Sequence, residues 1–447
     1  MCAGCMNKLV NKINFILIIF VLVANPLWLL MYANLKSFNL TVPFYYYQVL
    51  YFIIPIEMFI YAYKIIKKEI EFNRYDMVVF ILLMLLMIVT NNSIDINTSI
   101  WGSYKRHDGF LTMLSYYMLF LNCKSFDKKQ VSMIIKILFG IGVVQFVYCL
   151  LQVFVRFSGL ELFSLNDVNY MAMGFAGNPN FLGSHCLILL GLSLMLYFVK
   201  SENKYFGLSI IFFINLILAQ STGPFFAFLI LFVFMIIFMK IKRIIDWKKI
   251  GIICFSFLLT FVIVSNFIEI YCKSIFNDKI VSSYTIKGDI LNTFNLFGIS
   301  KGNDDDNKVT IDNYGSGRIT IWKNALKIVP KYFLLGSGID TFGYVYSQSN
   351  PGLYYDKAHN EYLQILVTEG IFSLILYLTL LLVLFTDSIK SNNKLVWILM
   401  MAFVGYALQA FLNIRVNTVA PTFYIIIGMI AGLISQEKVK VKIKGVA

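Results

Sequence analysis

The sequence predicts an all-α polytopic membrane protein, with about twelve transmembrane helices and one long outer loop that holds short amphipathic helices. Three observations predict this class. First, 59% of the 447 residues are hydrophobic and 14% are charged, and the mean hydropathy is +0.74. A soluble chain of this length needs far more polar surface. Second, the apolar runs are long enough to cross a hydrocarbon core of roughly 30 Å as helices. Third, Lys and Arg gather in alternate loops, as the positive-inside bias requires. The net charge of +14 therefore reads as membrane orientation, and nucleic acid is excluded as a partner.

The candidate spans run roughly 13–32, 44–63, 75–90, 110–122, 131–155, 181–199, 206–220, 224–239, 250–272, 360–386, 395–412 and 417–434. The first is too long for the apolar core of a signal peptide, and no small-residue cleavage site follows it. With the N-terminus inside, the inner segments hold 22 Lys and Arg residues. The short outer loops hold five: Lys36, Lys105, Arg106, Arg156 and Arg415. This asymmetry places both termini in the cytoplasm. The chain then divides into nine spans over 1–272, a long outer loop over 273–358, three spans over 359–434 and a basic cytoplasmic tail over 435–447. The seven cysteines are scattered and give neither a disulfide framework nor a zinc spacing.

The long loop begins polar, with KGNDDDNK at 301–308. Asp304, Asp305 and Asp306 lack the alternating ligands, central Gly and distant Glu of a calcium loop, so a solvated turn is the expectation. Beyond it, Ser316 or Gly317 can cap a helix that begins near Arg318. Ile319, Trp322, Leu326 and Val329 follow at helical spacing, and Pro330 stops it. Such a helix is amphipathic and lies on the membrane or on the bundle.

Four polar clusters fall on the outer side: WGSYKRHDG at 101–109, GNPN at 177–180, the stretch 318–370, and Gln409, Asn413, Arg415 and Asn417. At about 100° per residue, Asn360, Glu361, Gln364 and Thr368 share one arc of the tenth span. Polar stripes inside membranes face the bundle interior or a wet cavity. Each residue has a structural reading too. His359 can flank a helix cap, and Arg106 can snorkel to headgroups. Arg318 can be a loop charge, Glu361 a paired carboxylate, and Asn178 and Asn180 turn formers around Pro179. Convergence on one membrane face favours a site.

The stretches GSGRITIWKNALKIVPKYFLLGSGIDTFGYVY at 315–346 and DKAHNEYLQILVTEGIFSLILY at 356–377 resemble the signature of the bacterial O-antigen ligase and polymerase family. The matching positions are Arg318, Trp322, Ala325, Gly336, Gly338, Phe342, His359, Asn360, Tyr362, Leu363, Gln364, Glu369 and Gly370. GNPNFLGS at 177–184 and WGSYKRHDGFLT at 101–112 resemble two further elements of that family. The resemblance covers about 170–435, in order, and the earlier spans are similar in layout only.

The resemblance implies an inverting glycosyltransferase in the bacterial cytoplasmic membrane, with its active site outside. The donor would be a glycan on polyprenyl diphosphate and the acceptor a glycan or lipid-glycan hydroxyl, with membrane lipids around both. His359 would be the general base and Arg318 the diphosphate ligand. Arg106, Asn178, Asn180, Trp322, Asn360, Glu361, Gln364, Arg415 and Asn417 are the candidate substrate contacts. Ligase and polymerase both fit the pattern.

The residue types suit this chemistry. A neutral His can accept a hydroxyl proton, and guanidinium groups can stabilise a departing diphosphate. No cofactor is implied. No metal is expected, because the first outer loop, NLKSFNLTVPF at 34–44, lacks the acidic ligands of metal-dependent oligosaccharyltransferases. The alternative is a transporter or flippase for lipid-linked sugar, which would want an internal repeat and polar residues deep in several spans. A scaffold without chemistry would leave the outer His and Arg set without a purpose.

Overall fold

A computed structural model describes residues 3–37, 45–157, 171–275 and 317–446, and every described element is helical. The helices are α1 (Ala3–Ser37), α2 (Tyr46–Ile66), α3 (Arg74–Asn91), α4 (Ile96–Trp101), α5 (Phe110–Cys123), α6 (Lys128–Phe157), α7 (Pro179–Lys200), α8 (Asn203–Leu218), α9 (Thr222–Ile241) and α10 (Trp247–Ile275). After 317 come α11 (Arg318–Ile328), α12 (Phe342–Ser349), α13 (Glu361–Thr368), α14 (Gly370–Lys390), α15 (Lys394–Ala410) and α16 (Ala420–Val446). Among the described residues, nine helices are long and apolar enough to cross a membrane: α1, α2, α3, α6, α7, α9, α10, α14 and α16. Three shorter apolar helices, α5, α8 and α15, occupy the other predicted span positions. At 14 residues, α5 reaches only about 21 Å, short of a full crossing at 1.5 Å per residue.

The bundle is organised around α7. Of its apolar stretch 94% is buried, against 17% for the peripheral α10. It packs on α8, α9 and α15, while α5 packs on α2 and α16. Helices in lipid associate by close contact between backbones, because the solvent is as apolar as the side chains. At Gly428 of α16, an added Cβ would stand 2.3 Å from the carbonyl oxygen of Phe120 in α5. The helices approach that closely only because the residue is glycine.

The two ends of the bundle separate as loop alternation requires. At one end Lys124 pairs with Asp76, and Arg74 and Lys438 both reach Asp387. At the other, the loop before α5 meets the segments after α11, before α13 and after α15 through Asp108, Asp340, Lys357 and Arg415.

The predicted tenth span, 360–386, is not continuous. It breaks into α13 and α14 at Glu369 and Gly370. Gly370 has φ +81, and a Cβ there would lie 2.3 Å from the carbonyl oxygen of Leu334. The chain turns where only glycine fits.

The amphipathic helix α11 starts at Arg318, behind Gly317 at φ +75, and passes at Pro330 into a 3-10 turn. Its buried face differs from the predicted stripe. Ile321, Ala325 and Ile328 point inward, and Leu326 is 56% exposed. The inward residues join Phe342, Val345 and Tyr346 of α12, Leu363 and Val367 of α13, and Ala358 in a second small core. The acidic triplet at 304–306 lies outside the described residues.

Candidate functional site

His359 sits on the segment 356–360 that leads into α13. The residues around it are tied down one by one. Asp356 Oδ2 accepts from Arg106 Nε at 2.6 Å. Lys357 Nζ lies 2.9 Å from Asp108 Oδ2 and 2.7 Å from Asp340 Oδ1. The Ala358 carbonyl accepts from Trp322 Nε1 at 3.0 Å, and its amide donates to Gln364 Oε1 at 2.8 Å. Asn360 caps α13 by accepting from the Leu363 amide at 3.0 Å. Among the described residues, the His359 ring is in no hydrogen bond. Its backbone is held at φ +51.

Among the described residues, seven non-glycine residues have positive φ. Lys68, Ser201, Gln220 and Arg243 follow helix C-termini, where the left-handed conformation is ordinary. The other three, His107, Asp340 and His359, all belong to this site. Sparsely populated backbone conformations persist where surrounding contacts over-determine them, and they gather at functional sites.

A second set of contacts brings α7, α9 and α11 together. Asn178 caps α7 by accepting from the Asn180 amide at 2.9 Å. The Asn180 side-chain oxygen accepts from Arg318 Nη2 at 3.1 Å and from Ser221 Oγ at 2.6 Å. Its carbonyl accepts from Asn413 Nδ2 at 3.1 Å. Trp322 meets Phe411 edge-on, with ring centroids 5.7 Å apart.

The electrostatics follow from this layout. Burial, helped by Arg318 and Arg106 and opposed by Asp356, lowers the pKa of His359 to about 4. The ring is therefore neutral at pH 7. Burial raises the Asp356 carboxyl, but Arg106 and Lys357 outweigh it and hold the group below its ordinary range. Burial disfavours the Lys357 ammonium, yet Asp108 and Asp340 more than compensate and push its pKa up. Among the described residues, no cluster of His, Cys, Asp and Glu could hold a metal ion.

The structure thus brings Arg106, Arg318, Trp322, His359, Asn360, Gln364 and Asn180 to one locality. Arg415 is held by carboxylates, with Nη2 2.9 Å from Glu369 Oε1 and Nε 3.5 Å from Asp108 Oδ1. Glu361 points into the bundle, where its oxygens accept from Tyr377 at 3.0 Å and Tyr406 at 3.2 Å. Half-buried Asn417 makes no hydrogen bond to this group. Arg156 has its side chain outside the described residues. Sequence reasoning missed Asp108, Asp340 and Lys357 as partners, since no local spacing relates them. The spans are not wholly plain, because α2 buries Glu57 and α7 buries His185 beside Gln145, at 3.1 Å.

Residues 207–378 match the family model for O-antigen ligase. Over that segment the chain is similar to the O-antigen ligase family. The segment runs from α8 to α14 and carries both Arg318 and His359. The Arg106 loop, the 177–180 turn and Arg415 lie outside the matched residues. No curated protein matches the chain. The match to the O-antigen ligase model and the nine apolar helices among the described residues together point to a multi-pass membrane protein.

Proposed function

We propose that the protein transfers a glycan from a polyprenyl-diphosphate donor to an acceptor hydroxyl at the outer face of the bacterial cytoplasmic membrane. The observation that carries the reading is the His359 ring, neutral, under the influence of Arg318 and Arg106 and in no hydrogen bond among the described residues, on a segment whose neighbours are anchored. The acceptor oxygen attacks the anomeric carbon from the face opposite the diphosphate. The carbon–oxygen bond to phosphate breaks, and its electron pair stays on the leaving phosphate. The hydroxyl proton passes to a ring nitrogen of His359. One displacement inverts the anomeric centre. Arg318, steadied by Asn180, and Arg106 offset the charge on the departing diphosphate.

Trp322, Gln364 and Asn360 act in this reading on the backbone around His359 and not on the substrate. Asn178 and Asn180 set the start of α7 and the place of Arg318. The reaction needs no metal, since guanidinium groups meet the phosphate charge.

Purified variants test the assignment. His359→Ala and His359→Gln keep donor binding and lose turnover by roughly 10²-fold or more, the scale of a general base. Arg318→Lys keeps the charge but not the planar fork, and it weakens donor binding as well as turnover. Turnover of His359→Ala near the parent rate would overturn the base.

A further inference from the structure

Lys357 precedes His359 by two residues and is 2% exposed. Its ammonium lies between two carboxylates from distant parts of the chain. Asp108 belongs to the loop before α5, and Asp340 to the turn before α12. Asp340 also accepts from the Ser103 amide at 2.6 Å and the Asp108 amide at 3.3 Å, so it fixes that loop as well. Asp108 in turn faces Arg415, which pairs with Glu369 at the break between α13 and α14. Five buried charges thus join five places along the chain, and the proposed base stands at one of them.

We infer that Lys357 is a positioning residue for the glycosyl-transfer step, holding His359 in its left-handed conformation through the ion pairs to Asp108 and Asp340. The inference rests on His359 being the base. Three features support it. A left-handed histidine relaxes unless both flanks are fixed. The downstream flank is fixed by the Asn360 cap, and the upstream flank by the Asp356–Arg106 pair, by Lys357 and by the two hydrogen bonds to Ala358. Of the upstream ties, Asp356 reaches Arg106 itself, and Lys357 alone reaches both the loop that carries Arg106 and the 336–341 turn, so Lys357 fixes where that loop and its arginine sit relative to the base. A compact ammonium with three donors can serve two carboxylates at once. Misplacing a reacting group by about 1 Å costs on the order of 10²-fold in rate.

The test is the double variant Lys357→Met with Asp340→Asn. It removes one charge of each sign and leaves the net charge of the cluster unchanged. Asparagine tolerates the positive φ at 340 and can still accept from the Ser103 and Asp108 amides. The expected result has three parts. The thermal midpoint in detergent stays close to the parent's. The binding constant for the lipid-linked donor changes by less than about 3-fold, while kcat falls by roughly 10²-fold. Amide hydrogen exchange across 356–361 accelerates. A kcat within about 3-fold of the parent's, or unchanged exchange across 356–361, would refute the positioning role. If the double variant fails to fold, Lys357→Arg replaces it. The larger group keeps the charge but overpacks the site, so kcat should drop with donor affinity kept, and a parental kcat counts against the proposal. His359→Ala, measured alongside, separates the two ideas. Parental turnover there removes the base assignment, while the exchange data still report on the anchor.

Discussion

The low pKa of His359 makes a definite prediction about pH. With His359 as the proposed base, the free enzyme should be active with this ring neutral, so activity should be lost as pH falls through its pKa. With a value of about 4, about nine-tenths of the free enzyme has a neutral ring at pH 5. An ordinary histidine at about 6.5 would leave about 3%. The donor complex differs. A bound diphosphate neutralises Arg318 and Arg106, the two cations that help depress the ring, while Asp356 remains to raise it. Hence kcat/KM for the donor stays flat down to about pH 5 and falls below it, whereas kcat falls at a higher pH. The two profiles report free enzyme and complex respectively. Stability responds to the same group. The unfolded chain protonates its histidine near 6.5 and the native site only near 4, so acidification across that window favours unfolding, and His359→Gln removes that part of the loss. Stopped assays on purified enzyme in detergent, from pH 4 to 8, provide the data. A kcat/KM limb near 6.5, or coincident limbs for the two parameters, would refute the electrostatic account of the base.

Two further predictions follow from charge. Single cysteines at Tyr104, which is 92% exposed, and at Lys204 should divide under an impermeant thiol reagent on intact cells. Labelling at 104 alone agrees with the outer site, and labelling at 204 alone inverts the topology. Turnover in excess EDTA should match turnover without it, because arginines meet the phosphate charge. Loss restored by magnesium would replace that mechanism with a metal-assisted one.

Much of the fold was legible because lipid enforces simple rules. Long apolar runs between basic loops become helices, and each of the nine long helices overlaps a predicted span. The four polar clusters were legible as separate stretches, and their meeting could be expected from loop alternation. What stayed hidden depends on tertiary contacts. The run 360–386 has a continuous apolar and polar periodicity, so the Glu369–Gly370 break is visible only where Leu334 and Arg415 press against it. Glu361 shares the polar arc with Gln364, yet two tyrosines of the bundle draw it inward. In α11 the sequence favours Leu326, but the partners on α12 and α13 select the Ile321, Ala325 and Ile328 face instead.

The buried charges explain why this end of the bundle has one geometry. Desolvating each ion costs several kcal/mol, and apolar replacements of similar shape are often as stable or more so. Stability alone therefore gives little reason to keep Asp108, Asp340, Lys357, Glu369 and Arg415 inside. Their partners, however, are specific. An apolar cluster tolerates sliding of one segment past another, while an ammonium between two carboxylates permits few arrangements. The segments they join bring Arg106 and His359 from distant parts of the chain, and the break at Gly370 is held by the same Arg415. The proposed reaction at a lipid-linked diphosphate would require the base and the cations at fixed separation on opposite sides of the anomeric carbon. Charge pairing across loops supplies that constraint where short helices and turns, with little apolar surface of their own, cannot.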